Sequence, residues 1–115
     1  MTIVIKRAYD PPVAADGVRV LVDRLWPRGV SKPSLRLDAW MRDLAPSTEL
    51  RRWVHDDMTQ WQEFKKRYFQ ELRAQPDLVA QLRAKAKVGR VTLIYAKRDE
   101  THNNAAALME YLEPS

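Results

Sequence analysis

Two short stretches of this chain concentrate the side chains that do acid–base and anion chemistry. One is Asp23, Arg24, Trp26 and Arg28, within V-L-V-D-R-L-W-P-R-G at 20–29. The other is Lys97, Asp99, His102 and Asn103, within K-R-D-E-T-H-N at 97–103. His102 titrates near neutrality when unperturbed, and Asp23 or Asp99 is the kind of group that orients it or acts as a base. Arg24 and Arg28 carry the planar fork that clamps phosphate or carboxylate bidentately. Lys97 adds a point charge, Trp26 a flat surface and Asn103 a carboxamide to orient a bound molecule. A plainer reading fits the same residues: Asp23 and Arg24 form a structural ion pair, Trp26 plugs the core, and His102 and Asn103 cap the last helix.

The elements around these stretches decide whether they meet. Arg19-Val20-Leu21-Val22 is apolar towards both faces, the pattern of a strand buried on both sides. It runs into Asp23 and Arg24, where burial is costly unless the charges pair or meet a ligand. Pro27 fixes its own φ and restricts Trp26, and Gly29 permits a turn. Residues 90–96, R-V-T-L-I-Y-A, repeat the pattern and also end in charge. Strands of this kind separated by helices pair in parallel through a right-handed crossover. Their C-terminal ends then share one edge of the sheet, which is where open α/β sheets bind ligands. The spacing therefore predicts that the two loops meet. It predicts an α/β fold with a small, mostly parallel sheet of three or four strands flanked by helices, in one domain spanning 1–115.

The rest of the chain supplies the frame. Residues 3–5 read as an edge or second strand, and 8–17 as a loop marked by Pro11-Pro12 and Asp16-Gly17. Residues 35–38 read as a brief strand and 38–44 as a helical turn. Ser47 or Thr48 then caps a helix carrying Leu50, Trp53 and Val54 inward. Ser47, Arg51 and His55 lie four apart on its polar side, which makes Ser47 and Arg51 candidate ligand contacts. A long helix is predicted over 59–74, opened by a Thr59–Gln62 capping box and striped by Trp61, Phe64, Tyr68 and Leu72. Another begins at Pro76 and closes at Gly89. The last covers 103–113.

Composition narrows the chemistry. The chain has 115 residues, 45% hydrophobic and 30% charged, with no cysteine, so disulfides, thiolate metal sites and cysteine nucleophiles are excluded. No apolar run approaches the ~18 residues of a membrane span, and the N-terminal M-T-I-V-I-K-R lacks the apolar core of a signal peptide; a cytoplasmic protein is the expectation. Walker, dinucleotide and nucleophile-elbow glycine motifs are missing. Ser47 has no local partner marking it as a nucleophile. Two histidines at unrelated spacing assign no metal ligand, and nothing assigns a cofactor. The net charge of +5 favours an anionic partner. Its sharpest form is an enzyme acting on a phosphorylated or nucleotide-like small molecule. Two alternatives stand beside it. One is a nucleic-acid module using Lys65, Lys66, Arg73, Arg83, Lys85, Lys87 and Arg90. The other is a non-catalytic partner-binding protein anchored by exposed Trp26 and Trp40.

Four segments also carry a likeness: R-V-L-V-D-R-L-W-P-R-G at 19–29, L-D-A-W-M-R-D-L-A-P-S at 37–47, W-x-x-F-K-K-R-Y at 61–68 and G-R-V-T-L-I-Y-A-K-R-D-E-T-H-N at 89–103. Spanning nearly the whole chain, they resemble the YeaO-like proteins, small bacterial proteins within a larger domain-of-unknown-function family. The resemblance implies an α/β sheet flanked by helices and supplies no settled reaction. Related branches carry a cysteine near the start of the final helix, where His102 to Asn104 stand here, so a thiol mechanism does not transfer. Close members often have histidine where Asn104 stands, which weakens a two-histidine metal site in this chain.

Overall fold

The structure is a computed structural model that describes residues 1–54 and 58–113, with Met58 by its backbone alone. His55, Asp56 and Asp57, expected at the end of one helix and the break after it, lie outside the described residues.

Four parallel strands form the sheet: β1 (Ile3–Arg7), β2 (Val18–Leu21), β3 (Ala39–Trp40) and β4 (Val91–Tyr95), in the order β1-β4-β2-β3. Every residue of β4 is buried, as its position between β1 and β2 requires. Val91, Leu93 and Tyr95 face one layer of core together with Val20 and Val22. That layer is closed by α2 (Thr48–Val54), α3 (Trp61–Arg73), α4 (Pro76–Val88) and α5 (Asn104–Leu112), through Leu50, Phe64, Tyr68, Leu82 and Leu108 among others. The α/β architecture predicted from the doubly apolar strands is the one observed.

The opposite face is covered by the connection between β2 and β3. There Leu21 and Ile94 pack with Leu35, Trp26, Val30 and Trp40. Arg19 lies on this face, 4% exposed, and its burial is tolerated because every end of the fork is engaged. It donates to the Leu35 carbonyl at 3.0 and 2.8 Å and pairs with Asp16 at 2.6 Å. Lys6 reaches the same carboxylate at 3.1 Å. Burial alone would raise the Asp16 carboxyl, but the Val13 N–H, Lys6 and Arg19 outweigh it and hold the group below the usual carboxylate range. Beside it, Gly17 has a φ of +65°, and a Cβ there would stand 2.3 Å from the Arg90 carbonyl oxygen.

Boundaries moved where local signals were weakest. Of residues 35–38, read as a strand, Leu35 instead ends a short helix α1 (Lys32–Leu35), capped by Ser31 and stopped by Arg36 at φ 50°. The strand falls at Ala39–Trp40, because pairing with Val20 and Leu21 selects it. Arg42–Leu44 forms a 3₁₀ turn. Helix α3 starts at Trp61 with Gln60 in the cap position and no side-chain cap, so the expected capping box is not what opens it.

Candidate functional site

Because all four strands are parallel, their C-terminal ends open onto one edge, and a cleft of about 750 Å³ lies there. The β2 exit contributes Asp23, Arg24, Trp26 and Arg28, and the β4 exit contributes Lys97, His102 and Asn103. Arg51 reaches it from α2. Eight of the ten expected site residues are thus brought together. Ser47 and Asp99 do not line the cleft.

The two outliers have structural roles. Ser47 is the N-cap of α2: its Oγ accepts the Leu50 N–H at 3.1 Å, while Glu71 on α3 accepts its N–H at 2.8 Å and its hydroxyl at 2.6 Å. Asp99 shapes the loop before α5. It accepts the His102 N–H at 2.9 Å and the Thr101 N–H and hydroxyl at 3.0 Å. Those donors, the His102 amide first, hold its carboxyl down at about 2, and a group so low is a poor base at neutral pH.

Asp23 has the opposite environment. Burial, the largest influence, pushes its carboxyl above the usual value, against the Ala96 N–H at 2.9 Å, the Asn104 carboxamide and the charge of Arg51. Its own carbonyl accepts the Trp40 indole N–H at 2.7 Å. Arg24 does not pair with it as the plainer reading expected. The Arg24 fork instead donates to the carbonyls of Ala45 and Pro46, each at 3.3 Å, which fixes it across the cleft wall. His102 sets its ring edge-on to Trp61, centroids 4.9 Å apart, with Nδ1 2.9 Å from the Thr101 hydroxyl. Asn103, 2% exposed, is the N-cap of α5, accepting from Ala106 at 2.8 Å and donating to the Asp99 carbonyl at 3.0 Å.

Several contributors were missed from sequence. Tyr9, Arg52, Trp61 and Asn104 also line the cleft. Asn104 donates to the Val22 carbonyl at 2.8 Å and so ties α5 to the end of β2. Arg7, at the end of β1, donates to the carbonyls of Lys97 and Ala96 at 3.0 and 3.2 Å. It also lies over the Tyr9 ring, whose hydroxyl donates to the Arg28 carbonyl at 3.0 Å. The third strand exit thereby braces both loops. Replacing Arg7 with Met keeps the stem and removes the donors, and is expected to lower the unfolding free energy by about 2 kcal/mol, read from urea denaturation.

The family model described as the inactive DUF488-N3 subclade matches residues 2–115. The chain belongs to this family. A similar relative is the uncharacterised protein YeaO of Escherichia coli (strain K12), 41% identical over 112 residues and 97% of each chain. Another is the uncharacterised protein Rv3073c of Mycobacterium tuberculosis (strain H37Rv), 40% identical over 94% of this chain and 91% of its own. No solved structure matches.

In this member of the DUF488-N3 subclade the rival surfaces are partly occupied from within. Trp26 and Trp40, expected as exposed anchors, are half-buried edge to face at 5.5 Å. Both indole N–H groups bond inside the protein, that of Trp26 to the Val30 carbonyl. On the basic helical surface Lys65 pairs with Glu110 at 3.0 Å, and Arg83 donates to the carbonyls of Tyr111 and Leu112. Lys66, Arg73, Lys85, Lys87 and Arg90 are exposed. Among the described residues no helix is long and apolar enough to cross a membrane, and no three His, Asp or Glu side chains converge to hold a metal ion.

Proposed function

We propose that the protein binds a small anion, a phosphorylated or nucleotide-like molecule, in the cleft at the C-terminal edge of its sheet. The observation that carries this reading is the charge of the lining. Among the described residues Arg24, Arg28, Arg51, Arg52 and Lys97 face the cleft together with one carboxylate, Asp23. A concave site lined by one sign of charge raises the local concentration of its counter-ion, and guanidinium forks add directional bonds to phosphate. Arg24 is held in place before any ligand arrives, which lowers the ordering cost of binding.

Binding without turnover fits the subclade's description as inactive. It also fits the loss of Asp99 as a base and the engagement of Asn103 at both ends of its carboxamide. One observation favours a second reading, that of an enzyme: the part-buried Asp23 carboxyl, raised above its usual value, is the kind of group that takes a proton from a bound molecule, with His102 in the same cleft as its acid.

Thermal-shift titration of wild type with inorganic phosphate, nucleotides and sugar phosphates tests the binding. Ligand at a hundred times its dissociation constant adds about 2.7 kcal/mol, and Arg28→Ala is expected to weaken that ligand about tenfold. Unchanged affinity in a folded Arg28→Ala protein sinks the assignment. Recovery of the bound ligand unaltered after prolonged incubation separates the receptor from the enzyme.

A further inference from the structure

Resting on that reading, we infer that the cleft takes a bipolar ligand, with its anionic group at the arginine rim and a hydrogen-bond-donating head, a protonated amine or amino-bearing ring, at Asp23. The two halves of the lining differ in what they ask of a ligand. Arg28, Arg51 and Arg52 are exposed cations that offer donors to an acceptor. Asp23 is a part-buried acceptor in the same cleft, and among the described residues it has no ion-pair partner.

An ionised carboxylate out of water is costly until its lone pairs are met. Asp23 accepts the Ala96 N–H at 2.9 Å, and the Asn104 carboxamide beside it favours the charged form. A carboxylate has about four lone-pair positions, so the Ala96 N–H and the nearby carboxamide leave acceptor capacity for a further donor. Asn104 is itself fixed by its bond to the Val22 carbonyl, and the Asp23 backbone by the Trp40 indole. The carboxylate is therefore preorganised rather than free to swing into water. An inorganic anion satisfies the rim and is repelled by Asp23, while a ligand carrying a donor satisfies both. Trp61 and His102, packed edge to face beside them, give such a ligand an apolar flank.

The test uses aminoalkyl phosphates from aminoethyl to aminohexyl, each against the alkyl phosphate of the same length. Titration is by calorimetry into the whole protein at neutral pH in EDTA. The chain length that spans the cleft is expected to bind about tenfold or more tighter with the amine than without it, the worth of a bond to a charged acceptor. In Asp23→Asn that advantage is expected to vanish while the alkyl phosphates bind at least as tightly as to wild type, since the charge that repels them is gone. Equal affinity of amine and alkyl partners at every length overturns the bipolar inference and leaves the anion reading standing. Binding of no phosphate at all overturns both. An alkyl phosphate that binds only when magnesium replaces EDTA also overturns it, because a cation bridging to Asp23 would then stand where the donor head is placed. The wild-type ratio decides the matter even if Asp23→Asn does not fold.

Discussion

Gly17→Ala is expected to cost roughly 3 kcal/mol or more of stability, enough to move the urea midpoint far to the left or to leave the protein largely unfolded. Two penalties act together at this position. The backbone sits at φ +65°, and an added Cβ would lie 2.3 Å from the Arg90 carbonyl oxygen. That carbonyl cannot retreat, because it accepts the Val18 N–H at 3.0 Å where β2 begins beside β4. Gly29 provides the control. Its φ is +78°, and a Cβ added there would meet nothing within 4 Å, so Gly29→Ala carries the backbone penalty alone, about 1 kcal/mol. The difference between the two denaturation curves measures the clash. Equal midpoints would mean that β2 and β4 tolerate separation at their start, which the close approach of Gly17 to Arg90 forbids.

Asp23→Asn is expected to work in the opposite direction, raising the unfolding free energy by roughly 1 kcal/mol at pH 7. The side-chain oxygen of Asn can still accept the Ala96 N–H, and the charge whose burial is unfavourable is gone. The pH dependence gives the sign. Burial raises the folded pKa of Asp23 above its unfolded value, so the folded state holds this proton more tightly. The penalty is complete above the folded pKa, shrinks as pH falls through it, and is absent below the unfolded value of about 3.9. Wild type should therefore gain on Asp23→Asn during acidification from pH 7, and the gap should close. Asp16 and Asp99, whose pKa values are lowered, destabilise both proteins alike at still lower pH and cancel in the difference. A variant less stable than wild type at pH 7 would show that Asp23 is a satisfied structural group, removing the reason to seek a ligand for it.

The parts of this architecture visible in sequence are those written as patterns along one segment. The doubly apolar runs of β2 and β4 marked buried strands, and parallel pairing of buried strands brought Asp23 and His102 to one edge. The stripe of Trp61, Phe64, Tyr68 and Leu72 marked α3, and Pro76 and Gly89 marked the ends of α4. What escaped were features set by a partner distant in sequence. Strand β3 is two residues long and exists because Ala39 and Trp40 align with Val20 and Leu21, a register no local pattern announces. Ser47 has the look of a ligand contact, but Glu71 on α3 takes its hydroxyl. Arg7 has the look of the charged end of a strand, whereas its fork spans to the carbonyls beyond β4. The signal that would have found it is positional: a third parallel strand exit must also open onto the cleft edge.

The order of strands has one more consequence, for how the molecule is made. β1 and β2 emerge before β4 during synthesis, yet neither is bonded to the other. Both pair with β4, the last strand in the sequence. Until β4 leaves the ribosome the N-terminal strands have no common neighbour, and Ile3, Val20 and the helices that follow have no closed core to join. Such non-local pairing makes folding slow and postpones it until β4 has been made. Both walls of the cleft then arrive in a single step, since the strand that completes the sheet also carries in Lys97, His102 and Asn103. A chain cut before β4 would hold Asp23 and every rim arginine in its sequence and present no site.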